Sequence, residues 1–123
     1  RRVLLLAEVA GAVVGYTMLV QEEPRDADVA SVVVARPTAE LSKCYVLPEH
    51  HGSGVAGELI AASLRAAEAR GLASLWLGVN QHNARAQRFY SRSGFVRVGT
   101  RRFRVGDRWE DDYVMEHPLR AVG

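Results

Sequence analysis

Residues 44–60 read CYVLPEHHGSGVAGELI, and this stretch joins a predicted strand to a predicted helix. The strand covers residues 40–47 and ends where Pro48 removes a backbone donor and restricts the residue before it. The glycines at positions 52, 54 and 57 allow positive φ and close backbone approach, and the helix after them begins with unpaired N–H groups at its positive dipole end. Such a loop is typical of a phosphate-binding site.

Several classes of nucleotide-binding loop use the same physics, so the neighbouring residues have to discriminate between them. A loop of the NTPase type carries Lys and then Ser or Thr after its last glycine, and neither follows Gly57. The segment 52–57 matches the spacing of the dinucleotide fingerprint, but that site also needs an acidic residue after the next strand, where Asn80 stands. A plain turn, whose small residues serve only packing, stays as the alternative.

The residues after the loop predict a helix and a second buried strand. From Gly54 to Arg70, apolar residues recur at spacings of three to five in an alanine-rich stretch, which indicates a helix. Gly71 suits a left-handed C-terminal cap, and residues 73–79 read as a buried strand. Strand, helix and strand in this order predict a parallel pair joined by a right-handed crossover.

The rest of the chain predicts antiparallel strands and one more helix. In order, the predictions are a hairpin of strands at 3–9 and 12–20, a loop at 21–31, a short strand at 32–35, a helix capped by Asn83 and ending near Ser93, and closing strands at 95–105 and 109–115.

Composition favours a single α/β domain over residues 1–123, with 48% apolar and 24% charged residues. No apolar run approaches the ~18 residues that a membrane span needs. The one cysteine, Cys44, excludes an internal disulfide, and no Cys/His cluster has metal-ligand spacing, so the reducing cytoplasm is the expected compartment. The net charge of +2 gives little reason to expect a nucleic-acid partner, and the arginines at 97, 101, 102, 104 and 108 are interpreted as solvated surface.

Two motifs together resemble the GCN5-related N-acetyltransferases (GNAT), whose pyrophosphate loop reads Arg or Gln, two residues, Gly, one residue, Gly or Ala. His51, Gly54 and Ala56 occupy these three places, with His in place of the usual Arg or Gln. The second motif is a strand end with Asn, a helix with Phe-Tyr and a Gly-Phe ending, which matches Asn80, Asn83, Ala86, Phe89, Tyr90, Gly94 and Phe95.

The resemblance implies an α+β fold with a mixed central sheet: an antiparallel N-terminal hairpin, a parallel strand-helix-strand core and a C-terminal strand pair. The family normally opens with a further strand and two helices that wall the acceptor pocket, and this sequence lacks a counterpart to them. Either those residues were removed, or a second copy in a homodimer supplies the wall. The C-terminal segment, residues 103–107 with 112–115, resembles most the PaiA group of bacterial polyamine acetyltransferases.

The resemblance also implies acetyl-CoA as co-substrate, with the pantetheine arm on the splayed central strand and the pyrophosphate on the glycine loop. The residues expected to bind it are Tyr45, Val46, Leu47, His51, Gly52, Ser53, Gly54, Val55, Ala56, Gly57, Asn80, Asn83, Ala86 and Tyr90. The resemblance also implies that the Val46 N–H polarises the thioester carbonyl.

Acetyl transfer to an amine needs a base for the amine and an acid for the departing thiolate. A tyrosine with a pKa of about 10 is protonated at neutral pH and can donate to a thiolate of pKa about 8.5, which makes Tyr90 the expected general acid. A purely structural tyrosine is the alternative. Glu40, at the head of the central strand, is the expected base, with Glu8 as a second candidate. Cys44 is interpreted as an inert residue of the core.

The expected reaction is direct transfer of the acetyl group to a primary amine within a ternary complex. A small cationic acceptor such as a polyamine is expected, because the PaiA-like segment adjoins the acidic set Asp107, Glu110, Asp111 and Asp112. Two alternatives stay open, which are a peptide N-terminal acetyltransferase and a coenzyme A-binding regulatory module without turnover.

Overall fold

A computed structural model describes residues 1–120, apart from the side chain of residue 103, so the last three residues of the predicted domain lie outside the described part. Six strands form one mixed sheet in the order β1-β2-β3-β4-β6-β5. The elements are β1 Arg2–Val9, β2 Ala12–Val20, α1 Ala27–Val32, β3 Thr38–Val46, α2 Val55–Ala69, β4 Ser74–Asn80, α3 Ala84–Arg92, β5 Val96–Val105 and β6 Arg108–Pro118.

The sheet confirms the predicted topology. β1 and β2 form the N-terminal hairpin, whose turn residues Ala10 and Gly11 both have positive φ. The pair β3–β4 is parallel with α2 as its crossover, and β4–β6 and β5–β6 are antiparallel. No helix within residues 1–120 is long and apolar enough to cross a membrane.

Strands β3 and β4 pair over only a short length and then separate. Their last paired residues are Glu40 and Trp76, although the strands continue to Val46 and Asn80. The register between β2 and β3 shifts just beyond this point, which leaves Ser42 as an extra residue in β3. An extra residue bends its strand, so this bulge lies where β3 turns away from β4. The result is a wedge that opens toward the carboxyl ends of both strands.

Helices α2 and α3 pack on one face of the sheet. Five residues of α2 are buried, and the apolar ones among them contact the sheet side chains that alternate inward. The buried hydroxyls of Thr17 and Ser63 are 2.7 Å apart and satisfy each other beneath the helix. Gly15 permits close packing here, because a Cβ would lie 2.7 Å from the Tyr45 carbonyl oxygen.

Helix α1 lies on the opposite face, where a loop at 21–31 and a strand at 32–35 were predicted. The loop prediction is wrong from residue 27 onward, and the strand prediction is wrong as well. Asp26 caps the helix by accepting a hydrogen bond from the Asp28 N–H at 2.8 Å. Val29 and Val33, one turn apart, are buried against Trp76. This burial outweighs the strand preference of the consecutive valines.

The same face is open at β1, the edge strand of the sheet. Leu4 and Leu6 expose 59% and 54% of their surface there, while the alternating Leu5 packs against the core. Within residues 1–120, no strand pairs with the outer edge of β1.

Candidate functional site

A pocket of about 510 Å³ lies where the wedge between β3 and β4 meets α3 and the loop before α2. The end of β3, the glycine loop and one face of α3 supply its walls. It is lined by Cys44, Val46, His50, His51, Gly52, Gly54, Ala56, Gly57, Asn83, Arg85, Ala86, Phe89, Tyr90 and Arg92.

The glycine loop presents backbone rather than side chains to this pocket. Gly52 and Gly54 have φ of 79° and 91°, a left-handed conformation that residues with a Cβ rarely adopt. A Cβ at either position, or at Gly57, would meet no atom within 4 Å and would project into open space. Gly54 is also the N-cap of α2 and has no side chain that could cap the first turn. The N–H groups of that turn are therefore available to a ligand.

The charge of the lining suits an anion. No Asp or Glu lines the pocket, whereas Arg85, Arg92 and two histidines do. The positive dipole end of α2 adds to this field. A narrow groove of backbone donors with cations at its mouth fits a ligand that combines a thin polar chain with several phosphates.

The end of β3 directs the backbone N–H and C=O of one residue, Val46, into the wedge. The Leu47 N–H donates to the Val14 carbonyl at 2.8 Å. Because hydrogen bonds in an antiparallel ladder alternate, the N–H and C=O of Val46 point away from β2 and toward the wedge. The Val46 carbonyl accepts from Nε2 of His51 at 2.9 Å. The His51 ring therefore braces the strand, although the residue still lines the pocket.

Tyr90 lies at the inner wall, with its hydroxyl beside the Cys44 thiol. Its ring packs edge-on against Phe89 and Phe95, with centroids 5.3 and 5.9 Å away. Burial, reinforced by the neighbouring Cys44, raises the pKa of Tyr90, so the hydroxyl keeps its proton at neutral pH. Burial also raises the pKa of the Cys44 thiol, which leaves it a poor nucleophile.

Glu40 lies in a second, smaller pocket of about 170 Å³ on the α1 side of the sheet. Burial raises its pKa, while the Arg101 guanidinium pulls in the opposite direction. Cys44 lies four residues after Glu40 in β3, so the two backbone positions are roughly 13 Å apart at the usual rise of a strand. The Tyr90 hydroxyl lies beside Cys44 and is therefore at a similar distance from Glu40. The structure therefore does not bring Glu40 and Tyr90 into one pocket. The other lining residues are Val20, Glu22, Pro24, Arg25, Asp26, Trp76 and Arg101.

Five predicted cofactor residues do not line the larger pocket. Tyr45 points to the other sheet face, where its ring lies 6.1 Å from that of Tyr16. Ser53 turns its hydroxyl back to the His50 carbonyl. The Asn80 side chain donates to Glu110 at 3.2 Å. The five residues are Tyr45, Leu47, Ser53, Val55 and Asn80.

The second base candidate, Glu8, is exposed on β1 and borders a different depression, between β1 and α2. The structure places it apart from both pockets described above.

The predicted acidic set does not form one exposed surface, because its members differ in burial. Asp112 is buried and binds the Arg101 guanidinium at 2.8 Å, while Asp107 is exposed at the hairpin turn. The interpretation of all five basic residues as solvated surface is therefore wrong for Arg101. That side chain is 22% exposed and lies over the Trp76 ring. The close contact depends on Gly78, where a Cβ would overlap the guanidinium.

Sequence reasoning missed Arg85 and Arg92 as pocket residues. Both lie on the face of α3 that also carries Phe89, at spacings of four and three. This periodicity relative to the motif residue Phe89 was the available signal.

Comparisons with known proteins identify the family of this chain. Residues 1–95 match the model of the acetyltransferase (GNAT) family. An uncharacterized N-acetyltransferase of Mycobacterium tuberculosis is 45% identical over 119 residues, which are 97% of this chain and 69% of that protein.

Solved structures share the fold. The ribosomal-protein-S18-alanine N-acetyltransferase of Escherichia coli superposes with a TM-score of 0.75 at 25% identity, over 100% of this chain and 72% of that one. The PaiA N-acetyltransferase of Thermoplasma acidophilum, solved with coenzyme A, gives 0.67 at 20% identity, over 96% and 61%. PaiA is therefore a distant structural neighbour. The family match, which covers most of the sequence, and the mycobacterial relative together show that this chain belongs to the GNAT family and is an acetyl-CoA-dependent N-acetyltransferase.

Proposed function

We propose that the chain transfers an acetyl group directly to a primary amine while both substrates are bound, with one substrate entering from each side of the wedge. The observation that carries this proposal is the opposite charge of the two pockets. The larger is lined by arginines and no acid, and the smaller contains the carboxylates of Glu22, Asp26 and Glu40. Coenzyme A is a polyanion, and an amine at neutral pH is a cation, so each pocket attracts one substrate.

In the larger pocket, bound acetyl-CoA supplies an activated thioester. The N–H groups around Gly52–Gly57 bind its pyrophosphate, and the wedge side of β3 binds the pantetheine arm. Asn83 and Ala86 supply the facing wall, because they share the side of α3 that carries Tyr90. The Val46 N–H, which points into the wedge, donates to the thioester oxygen as negative charge develops there.

Two side chains move protons in this proposal. Tyr90 donates its proton to the departing thiolate, and its hydroxyl carries that proton at neutral pH because burial raises its pKa. Glu40 removes a proton from the amine. Since Glu40 faces a separate pocket roughly 13 Å along the strand from Cys44, this transfer passes through water rather than by direct contact.

The acceptor that this geometry favours is a small cationic amine, with polyamines as the first class to test. The pocket of about 170 Å³ is narrow, and its three carboxylates outnumber its two arginines. Arg25 pairs with Glu22 inside the pocket, whereas Arg101 pairs with Asp112, which does not line it, so the lining keeps a net negative charge. The attraction is thus assigned to Glu22, Asp26 and Glu40 rather than to the β5–β6 turn.

A second acceptor class, the α-amine of a peptide, is favoured by one comparison. The E. coli protein that acetylates an alanine of ribosomal protein S18 superposes over 100% of this chain at 25% identity. A peptide would lie along the open side of the smaller pocket and extend only its terminal amine into the wedge toward the thioester, with water between the amine and Glu40.

An activity screen tests the proposal. Thiol release from acetyl-CoA is measured with spermidine, with a peptide that begins with alanine, and with the same peptide blocked at its N-terminus. Release that depends on a free amine supports the proposed reaction, and the preferred amine selects between the two acceptor classes. Binding of acetyl-CoA without release in the presence of any amine would contradict transferase activity.

A further inference from the structure

Two arginines frame the mouth of the larger pocket from the same helix face. Arg85 and Arg92 lie seven residues apart on α3, two turns and roughly 10 Å along its axis, with Phe89 between them. Both line the pocket that contains the glycine loop. Their face is adjacent to that of Asn83, Ala86 and Tyr90, so the arginines flank the groove rather than lie at its floor.

Neither guanidinium is neutralised by another side chain. The ion pairs among the described residues involve Arg25, Arg36 and Arg101, and no hydrogen bond joins the side chain of Arg85 or Arg92 to another described residue. The pocket lining contains no carboxylate. Both side chains are exposed, which leaves their planar forks available for an anion from solution.

The glycine loop accounts for only part of the charge on the proposed co-substrate. Backbone N–H groups at a helix start suit the two phosphates of a pyrophosphate. Coenzyme A carries a third phosphate, a monoester on the ribose 3′ oxygen, which bears close to two negative charges at neutral pH. A terminal phosphate of this kind is recognised best by arginines, which donate two parallel hydrogen bonds to its oxygens.

We propose that Arg85 and Arg92 bind the ribose 3′-phosphate and so make the chain selective for coenzyme A over its 3′-dephospho form. This inference rests on the proposed binding of acetyl-CoA in the larger pocket. It assigns to the outer face of α3 a selectivity role that is separate from the chemistry at Tyr90.

The helix itself offers a matched control. Arg88 lies on the same exposed helix and has the same charge, but it does not line the larger pocket. It borders a neighbouring depression, which it shares with Gln87, Ser91 and Arg92. Arg88→Gln therefore changes the net charge as much as Arg85→Gln does, without touching the cofactor pocket.

The test measures calorimetric dissociation constants of acetyl-CoA and 3′-dephospho-acetyl-CoA at fixed salt. We expect the parent protein and Arg88→Gln to bind acetyl-CoA about tenfold or more tightly than the dephospho form. The double variant Arg85→Gln with Arg92→Gln should lower this ratio to nearly one. Because both constants come from the same preparation, a partly unfolded fraction leaves their ratio unchanged.

Three results would overturn the inference: equal affinities in the parent protein, a ratio that survives in the double variant, or an equal loss in Arg88→Gln. The first two refute only the assignment of the 3′-phosphate to these arginines. Parent protein that binds neither ligand would refute the proposed cofactor pocket itself.

Discussion

Replacing Tyr90 with Phe removes one proton from the site and leaves the ring in place. The ring makes edge-on contacts with Phe89 and Phe95 at centroid distances of 5.3 and 5.9 Å, and Phe can make both. The polar neighbour of the lost hydroxyl is the Cys44 thiol, a weak hydrogen-bonding group, so the free energy of unfolding should change by less than about 1 kcal/mol. Cofactor affinity should also be retained.

The expected loss is in turnover. A positioned general acid contributes about 10²-fold to 10⁴-fold, so kcat should fall by at least about 10²-fold, or about 2.7 kcal/mol of transition-state stabilisation. Steady-state rates of coenzyme A release, together with calorimetric binding of acetyl-CoA, separate the two quantities.

Tyr45→Phe is the matched control, because Tyr45 is 48% exposed and lies on the other face of the sheet. Its kcat should equal that of the parent protein. An unchanged kcat in Tyr90→Phe would show that water or another group protonates the thiolate.

Three further predictions follow from the two pockets. Burial raises the pKa of Glu40, so kcat/KM should fall as the pH decreases, with an apparent pKa above the usual range of a glutamate. Glu40→Gln should abolish this acidic limb of the pH–rate profile. An acidic limb that survives in the variant would exclude Glu40 as the base. Gly54→Glu should abolish the binding of acetyl-CoA, as measured by calorimetry. Gly71, at the far end of α2, has a similar positive φ, and Gly71→Glu should leave this binding intact. Equal affinities of the two variants for acetyl-CoA would remove the glycine loop from the site. Glu22→Gln should raise the KM for spermidine a few-fold at low salt, and the increase should be smaller at 0.5 M salt because salt screens the charge. Asp107→Asn should leave this KM unchanged. Equal KM values in the two variants would argue against attraction by the smaller pocket.

The strand-loop-helix segment and its flanking elements could be predicted because their signals are local. Pro48 ends a strand, Gly54 and Gly71 bound a helix, and Asn83 caps the next one. Each of these depends on residues within a few positions. The parallel pair then follows from the strand-helix-strand order, and its right-handed crossover follows from chirality.

The arrangement of side chains around the site could not be predicted in the same way. The bulge at Ser42 shifts the alternation of β3, and it shows only in the pairing with β2. Whether Tyr45 or Val46 faces α2 therefore could not be read from the sequence. The ion pair of Arg101 with Asp112 joins neighbouring strands and needs the absence of a side chain at Gly78, a coincidence of three separate segments.

Helix α1 shows a similar limit. Its residues are mostly polar or β-branched, which favours a loop or a strand. Its helical form depends on burial of Val29 and Val33 against Trp76, some 40 residues further along the chain. The loop before this helix supplies Glu22 and Asp26 to the smaller pocket. The acidic character of that pocket therefore depends on where α1 packs.

The most direct test of the central claim is a mass measurement of the products of a single reaction. The chain is incubated with acetyl-CoA and an amine that supports thiol release, and both the acetylated amine and free coenzyme A are quantified. The account predicts equal molar amounts of the two products. The mass of the amine should increase by about 42 Da, because one acetyl group replaces one hydrogen. Without the amine, neither product should exceed the amount formed by Tyr90→Phe. Coenzyme A release with no acetylated amine, or an acetyl group retained on the protein, would contradict direct transfer.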